Sequence, residues 1–148
     1  MANTNINGLK NQIMQFISAN VTTVQDVSDY DKVVFSGFPA VTVTTTDNEN
    51  EFWSVAQNQR AFNFDIDIYV QISKSTQSVD DNARQSAERI MGNVVSDMID
   101  AFDDNVTFGG AADFLRAAPS TWDYMESSEG MMRHAKIKLQ VVQLYTTA

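Results

Sequence analysis

The feature that most constrains the fold is a strict alternation of apolar and polar residues between Arg60 and Ser73. The even-numbered positions are apolar: Phe62, Phe64, Ile66, Ile68, Val70 and Ile72. The odd-numbered positions between them form the other set: Asn63, Asp65, Asp67, Tyr69 and Gln71. Successive side chains of a strand point to opposite faces of its sheet. The pattern therefore predicts a long strand with one buried and one polar face, in an antiparallel sheet covered on one side.

Two segments have the helical period instead. Apolar residues from Ile6 to Ile17 recur at a spacing of three to four, which predicts an amphipathic helix over about residues 5–18. A longer helix is predicted over about residues 79–103, where Ser78 and Asp81 form a capping-box pattern and Ala87, Met91, Met98 and Phe102 lie on one face.

The remaining β-branched and alternating stretches predict further strands. Short strands are expected at about residues 21–27 and 40–46, with a polar loop at 47–50. A strand over 51–57 is expected to join the 60–73 strand by a tight turn near Asn58 and Gln59. Two more are expected at 113–124, broken near Pro119, and at 132–145. The order α-β-β-β-β-α-β-β predicts an α+β fold, a mostly antiparallel sheet with both helices on one face, in one domain spanning residues 1–148.

Composition excludes several classes of function. The chain has no cysteine, so disulfides, thiolate metal sites and cysteine nucleophiles are ruled out. A net charge of −9 disfavours a protein that binds nucleic acid through its phosphates. No basic segment followed by an apolar run opens the chain, and no run reaches the roughly 18 apolar residues of a membrane span, so neither a signal peptide nor membrane insertion is expected.

Candidate polar sites are few. Asp97, Asp100, Asp103 and Asp104 lie at the end of the longer predicted helix, where carboxylates oppose the helix dipole. They are interpreted as a solvated helix end, an acidic surface facing a lumen or partner, or a hard-cation site, in decreasing order of preference. His134, the one histidine, is expected to be solvated or at an interface, and Asp65 and Asp67 are expected to point outward from a strand.

Four aromatic residues fall outside the periodic core: Phe35, Phe38, Trp53 and Trp122. Such residues in loops or at strand ends either anchor an interface or fold back over the sheet. Because no nucleophile–base pair and no metal-ligand set stands out, the sequence predicts a protein that is not an enzyme and holds no cofactor or metal.

The order of these elements resembles the tail terminator (tail completion) proteins of long-tailed bacteriophages. The resemblance spans most of the chain and is carried by loose patterns. They are Tyr30-Asp31, Phe35 to Val43, Asn48 to Glu51, Arg60 to Phe64, Ala87 to Met91, Asp100 to Asp103, and Met132-Arg133 before the last predicted strand.

The resemblance implies a structural virion protein, assembled in the host cytoplasm, that forms a ring on the head-proximal end of the tail tube. Such a ring, typically a hexamer, ends tube polymerisation and presents a surface for head–tail joining. Its implied partners are further copies of itself, the tail tube protein and the head–tail connector protein, while DNA passes through without specific binding. Other neck components or a tube subunit are alternatives, and a small-ligand binding domain is the alternative from another class.

Overall fold

A computed structural model describes residues 6–32, 34–52, 57–73, 81–105, 114–127 and 130–146. Its two helices are α1 (Ile6–Asn20) and α2 (Asp81–Asp103). Its five strands, in chain order, are β1 (Asp26–Ser28), β2 (Ala40–Phe52), β3 (Gln57–Ser73), β4 (Phe114–Ser127) and β5 (Gly130–Thr146).

The five strands form one sheet in the order β1-β2-β3-β5-β4. Only β1 and β2 run parallel, and every other neighbouring pair is antiparallel. Helix α1 packs on the β1–β2 side and α2 packs over β3, β5 and β4. The predicted α+β architecture, with two helices against a mostly antiparallel sheet, is confirmed.

The core lies between the helices and one face of the sheet. The apolar parity of β3 points into it, and Phe64, Ile66 and Ile68 are fully buried. The apolar stripe of α2 supplies Met91, Met98 and Phe102, and Phe102 stacks on Phe16 of α1 with ring centroids 4.9 Å apart. The space between α2 and the sheet is therefore filled by side chains.

Several predicted boundaries were wrong. Residues 21–25 form a turn, and the first strand is confined to Asp26–Ser28. The predicted loop at 47–50 lies inside β2, which pairs with β3 through Phe52 with a register shift between Thr45 and Asn48. Asn58 and Gln59 are not a turn, because they pair with Phe52 and Glu51 inside the ladder. Among the described residues, three strands and not four therefore separate the helices.

The prediction that Pro119 breaks its strand was wrong, because β4 runs without interruption from Phe114 to Ser127. Strand β4 continues past this residue, but its register against β5 shifts between Pro119 and Trp122. Proline lacks the N–H that a ladder bond requires, which explains an irregularity at an edge strand. Ser127 at the end of β4 pairs with Gly130, whose φ of 97° suits glycine.

Candidate functional site

The sheet face opposite the helices carries a row of four side chains that crosses four strands. Ala40 of β2 is paired with Tyr69 of β3, Tyr69 with His134 of β5, and His134 with Asp123 of β4. We call this side the outer face. Because paired residues of neighbouring strands place their Cβ atoms about 5 Å apart, the register brings these groups into contact.

His134 joins two carboxylates on this face. Its Nε2 lies 2.7 Å from Oδ1 of Asp67, and its Nδ1 lies 2.7 Å from Oδ1 of Asp123. Only 7% of the residue is exposed. The expectation of a solvated histidine was therefore wrong, and the alternative of an interface histidine stays a prediction. The carboxylate of Asp67 and the imidazole of His134 meet because β3 and β5, which are far apart in sequence, are paired neighbours in the sheet.

The two contacts decide the charge of the imidazole. Both ring nitrogens donate when the ring is protonated, whereas a neutral ring has only one N–H. Burial lowers the pKa of His134, but the hydrogen bonds and charges of Asp67 and Asp123 outweigh it and hold the pKa above its usual 6.5. With both nitrogens occupied, the ring has no lone pair for a substrate proton, so this arrangement does not fit a general base.

Lys136 adds a second cation to the outer face. Its Nζ lies 3.4 Å from Oδ2 of Asp65 and 4.0 Å from Oδ1 of Asp67. The carboxylates of β3 are thus matched by cations of β5. Asp65 and Asp67, predicted to point outward, do lie on that face, but as members of a charge network.

An aromatic layer covers one corner of the outer face. Phe35 lies 5.0 Å from the ring of Tyr69 and 5.6 Å from that of Phe38, and Tyr69 stacks on the imidazole of His134 at 5.0 Å. Ala40 and Met132 complete this cluster. Burial, reinforced by the charge of Asp67, raises the pKa of Tyr69 to about 12. Phe35 and Phe38 therefore fold back over the sheet and remain partly exposed.

A buried carboxylate holds this covering segment in place. Oδ2 of Asp26 accepts hydrogen bonds from Lys32 Nζ at 2.9 Å and from Ser36 N at 2.8 Å. Ser28 donates to the other oxygen, Oδ1, at 3.3 Å. Burial raises the pKa of Asp26, but the hydrogen bonds from Lys32 and Ser36 and the charge of Lys32 outweigh burial, so the net shift of the pKa is downward. This anchor could not be predicted from the sequence, because two of its donors, Lys32 and the Ser36 amide, lie six and ten residues away in irregular chain.

The acidic group predicted on the long helix is fully displayed to solvent. Asp97, Asp100, Asp103 and Asp104 are all exposed at the C-terminal end of α2 or just beyond it. Among the described residues, no group of three or more His, Cys, Asp or Glu is arranged to hold a metal ion. The structure thus places these four exposed residues at one end of α2.

Trp122 lies within β4 and not at a strand end, which corrects the sequence-based placement. It is 38% exposed, and its neighbour Tyr124 is 45% exposed. Arg133 lies 5.4 Å from the ring of Trp122 and 4.5 Å from that of Tyr124, and it pairs with Glu88 of α2 at 2.8 Å. This aromatic–arginine group forms a partly exposed margin of the sheet. Trp53 lies outside the described residues.

A cleft of about 340 Å³ also opens on the outer face, around Asn63 and Asp65 in the middle of β3. Its lining includes Thr46, Asp65, Arg116, Lys138 and Gln140, so both signs of charge meet there.

In the described part of the chain, no helix has the length and apolar character needed to cross a membrane.

Comparison with known proteins adds no relative. No protein-family model matches the sequence, and no curated protein matches it either.

Proposed function

We propose that this protein is a structural component of a bacteriophage tail, a ring that caps the head-proximal end of the tail tube, ends its polymerisation and provides the surface for head–tail joining. The observation that carries the proposal is a pair of open sheet edges. Strand β4 is paired only with β5, and β1 covers β2 only at Ala40–Thr42. Among the described residues, both ends of the sheet therefore have unpaired backbone.

Open edges at opposite ends suit a ring. A contact between two different surfaces of the same chain repeats from copy to copy, and it closes into a ring when the rotation allows. Unpaired edge strands are ready sites for such contacts. On the β4 edge the exposed rings of Trp122 and Tyr124 add apolar area of the kind that anchors interfaces.

Charge supports the passage of DNA through the ring. The chain carries a net charge of −9, and the exposed Asp97, Asp100, Asp103 and Asp104 concentrate part of it at one helix end. A lumen lined by these carboxylates would repel the phosphate backbone, so DNA would slide without binding. Changing all four to Asn should leave folding intact and alter DNA passage, which infectivity assays of a complemented phage would detect. Unchanged infectivity would remove the lumen from the proposal.

A ligand-binding domain is the second candidate, favoured by the outer-face cleft with Arg116 and Lys138 in its lining. The two functions predict different assemblies. Native mass spectrometry and negative-stain imaging should show a ring with a central hole, either in solution or after addition of purified tail tubes. A monomer that neither sediments with tubes nor limits their length would contradict the ring function.

An edge variant tests the contact itself. Trp122→Ala should weaken subunit association at least tenfold while leaving the monomer folded, because the side chain lies at the open edge. Ile90→Ala is the matched control: its side chain is 43% exposed, but it lies on α2. Sedimentation velocity measures both. Equal association of the two variants would show that the β4 edge is not the contact.

A further inference from the structure

The carboxylates on the two sides of His134 are unequal. The side chain of Asp67 is only 14% exposed, and its Oδ1 also lies 4.0 Å from Nζ of Lys136. The side chain of Asp123 is 50% exposed on the edge strand. The Asp67 side is therefore buried and doubly compensated, whereas the Asp123 side faces water and can separate from the ring.

Other titratable groups lie near the imidazole on the elements packed around it. Strand β3 contributes Asp65, Asp67 and Tyr69, and β5 contributes Lys136. Asp31, in the chain that leads to Phe35 and Phe38, raises the pKa of Tyr69 through its charge. Together with Lys136, the imidazolium compensates the negative charge of the carboxylates closest to it. Loss of its proton leaves negative charge crowded around a neutral ring.

Deprotonation also removes one of the two hydrogen bonds. A neutral ring keeps one N–H, so its other nitrogen turns a lone pair towards a carboxylate oxygen 2.7 Å away. Because Asp67 is buried, the remaining proton is best retained on Nε2. The unfavourable contact then falls on Nδ1 and Asp123, in the edge strand.

A shift in register divides strand β4 just before Asp123. The register shift between Pro119 and Trp122 separates its first part from residues 122–127, which pair with the beginning of β5. Arg133 still holds the second part, by donating from Nη1 to the carbonyl of Asp123 at 2.9 Å and by contacting Trp122 and Tyr124. These contacts do not involve the imidazole, so they limit the change to a local loosening.

We propose that His134 is a proton-operated latch: its protonated ring fastens residues 122–127 of the β4 edge to the sheet, and loss of the proton loosens that segment while the rest of the sheet stays intact. This latch is independent of the ring function. It would hold in a monomer, and it would bear on any partner that uses the β4 edge.

The test follows one imidazole and one strand in the intact chain. Because the chain has a single histidine, its ring signals in an NMR titration are unambiguous. We expect a midpoint above 6.5. Across it, hydrogen-exchange protection of amides 122–126 should fall about tenfold or more, corresponding to the loss of about 1.4 kcal/mol. Protection at 62–70 in β3 should stay constant.

Asp123→Asn separates the latch from a general effect of pH. The variant should lower the midpoint of His134 and abolish the step in β4 protection, whereas Asp103→Asn, an exposed change on α2, should preserve both. Three results would overturn the proposal. They are no step in the unmodified chain as His134 titrates, an equal step in β3, or a histidine that stays protonated to pH about 9.

Discussion

Asp26→Asn tests how the aromatic cover is held on the sheet. The substitution keeps the shape of the side chain and removes its charge. In the folded protein the carboxylate is buried and receives two bonds on Oδ2, from Lys32 at 2.9 Å and from the Ser36 amide at 2.8 Å. These bonds fix the segment that carries Phe35 and Phe38 over Tyr69. Neutralising the acceptor weakens both bonds at once and leaves the ammonium group without its counter-ion.

The size of the effect follows from the two contacts. A hydrogen bond to a charged group contributes about 1.5–3 kcal/mol net, and charge roughly doubles the strength of such a bond. An Asn oxygen can accept both bonds in neutral form, so about half of each is lost. We therefore expect the free energy of unfolding to fall by about 2 kcal/mol. For a chain of 148 residues this corresponds to a Tm lower by about 4–8 °C.

The pH dependence has a defined sign. The pKa of Asp26 is lowered in the folded protein from its usual 3.8. The carboxylate therefore stabilises the fold above that value, and the stabilisation is lost as the pH falls through the folded pKa. The difference between the parent and Asp26→Asn should be constant from pH about 5 to 8 and should shrink below about 3.8.

Urea denaturation at several pH values measures both quantities. Asp29→Asn is the matched control, because this residue is exposed and three positions away, and we expect a change within about 0.5 kcal/mol. Lys32→Met should destabilise the parent more than it destabilises the Asp26→Asn variant, since the two residues share one bond. If Asp26→Asn is no more destabilising than Asp29→Asn at pH 7, the anchor is not energetically significant and the reasoning fails.

Three further predictions concern the core, the contact between Gly37 and Gln25, and the loss of stability as the pH rises. Phe64→Ala should lower the free energy of unfolding by about 3–5 kcal/mol, against less than about 0.5 for Ile90→Ala, as measured by urea denaturation; similar losses would contradict the assigned core. Gly37→Ala should cost about 1 kcal/mol in the same assay, because its Cβ would lie 2.8 Å from Gln25 Oε1; parental stability would show that Gln25 moves aside freely. The raised pKa of His134 contributes stability that is complete below about 6.5 and lost as the pH rises through the folded pKa, so calorimetry should show a falling Tm on that limb that His134→Gln lacks.

The strongest signals in the sequence were the periodic patterns of apolar residues. The alternation in β3 and the 3.6-residue pattern of α2 each repeat over several turns or residue pairs, and both predicted a buried face that the structure confirms. Such patterns are local, because the helix or strand period alone decides which residues share a face. This part of the fold was therefore readable without knowing any partner strand.

The hairpin between β2 and β3 was misplaced for a physical reason. Residues 47–50 have the polar composition of a loop, yet they lie within β2, with Asn48 paired to Phe62 and Asn50 to Arg60. Backbone pairing with a neighbouring strand outweighs the weak strand propensity of Asn and Glu. Local composition could not reveal this, because the stabilising partner lies elsewhere in the chain.

His134 was misjudged because its surroundings depend on register. Asp67 and His134 are 67 positions apart, and they meet only because β3 and β5 pair in one particular alignment. A usable signal was present nevertheless. One strand shows acids on its polar parity, Asp65 and Asp67, and the other shows His134, Lys136 and Lys138 on its own. Opposite charges on the polar faces of two strands indicate that the strands are neighbours.

The same charge matching bears on which surface of the proposed ring would face DNA. On the outer face, Asp65 and Asp67 are matched by Lys136 and His134, so little unpaired negative charge remains there. A lumen that repels phosphates needs carboxylates that are not neutralised by neighbouring cations. The exposed C-terminal end of α2 meets that condition better than the sheet does. Within the proposed ring, the helix end is therefore the surface to orient towards the axis, and the outer face of the sheet is left for contacts with tube or connector.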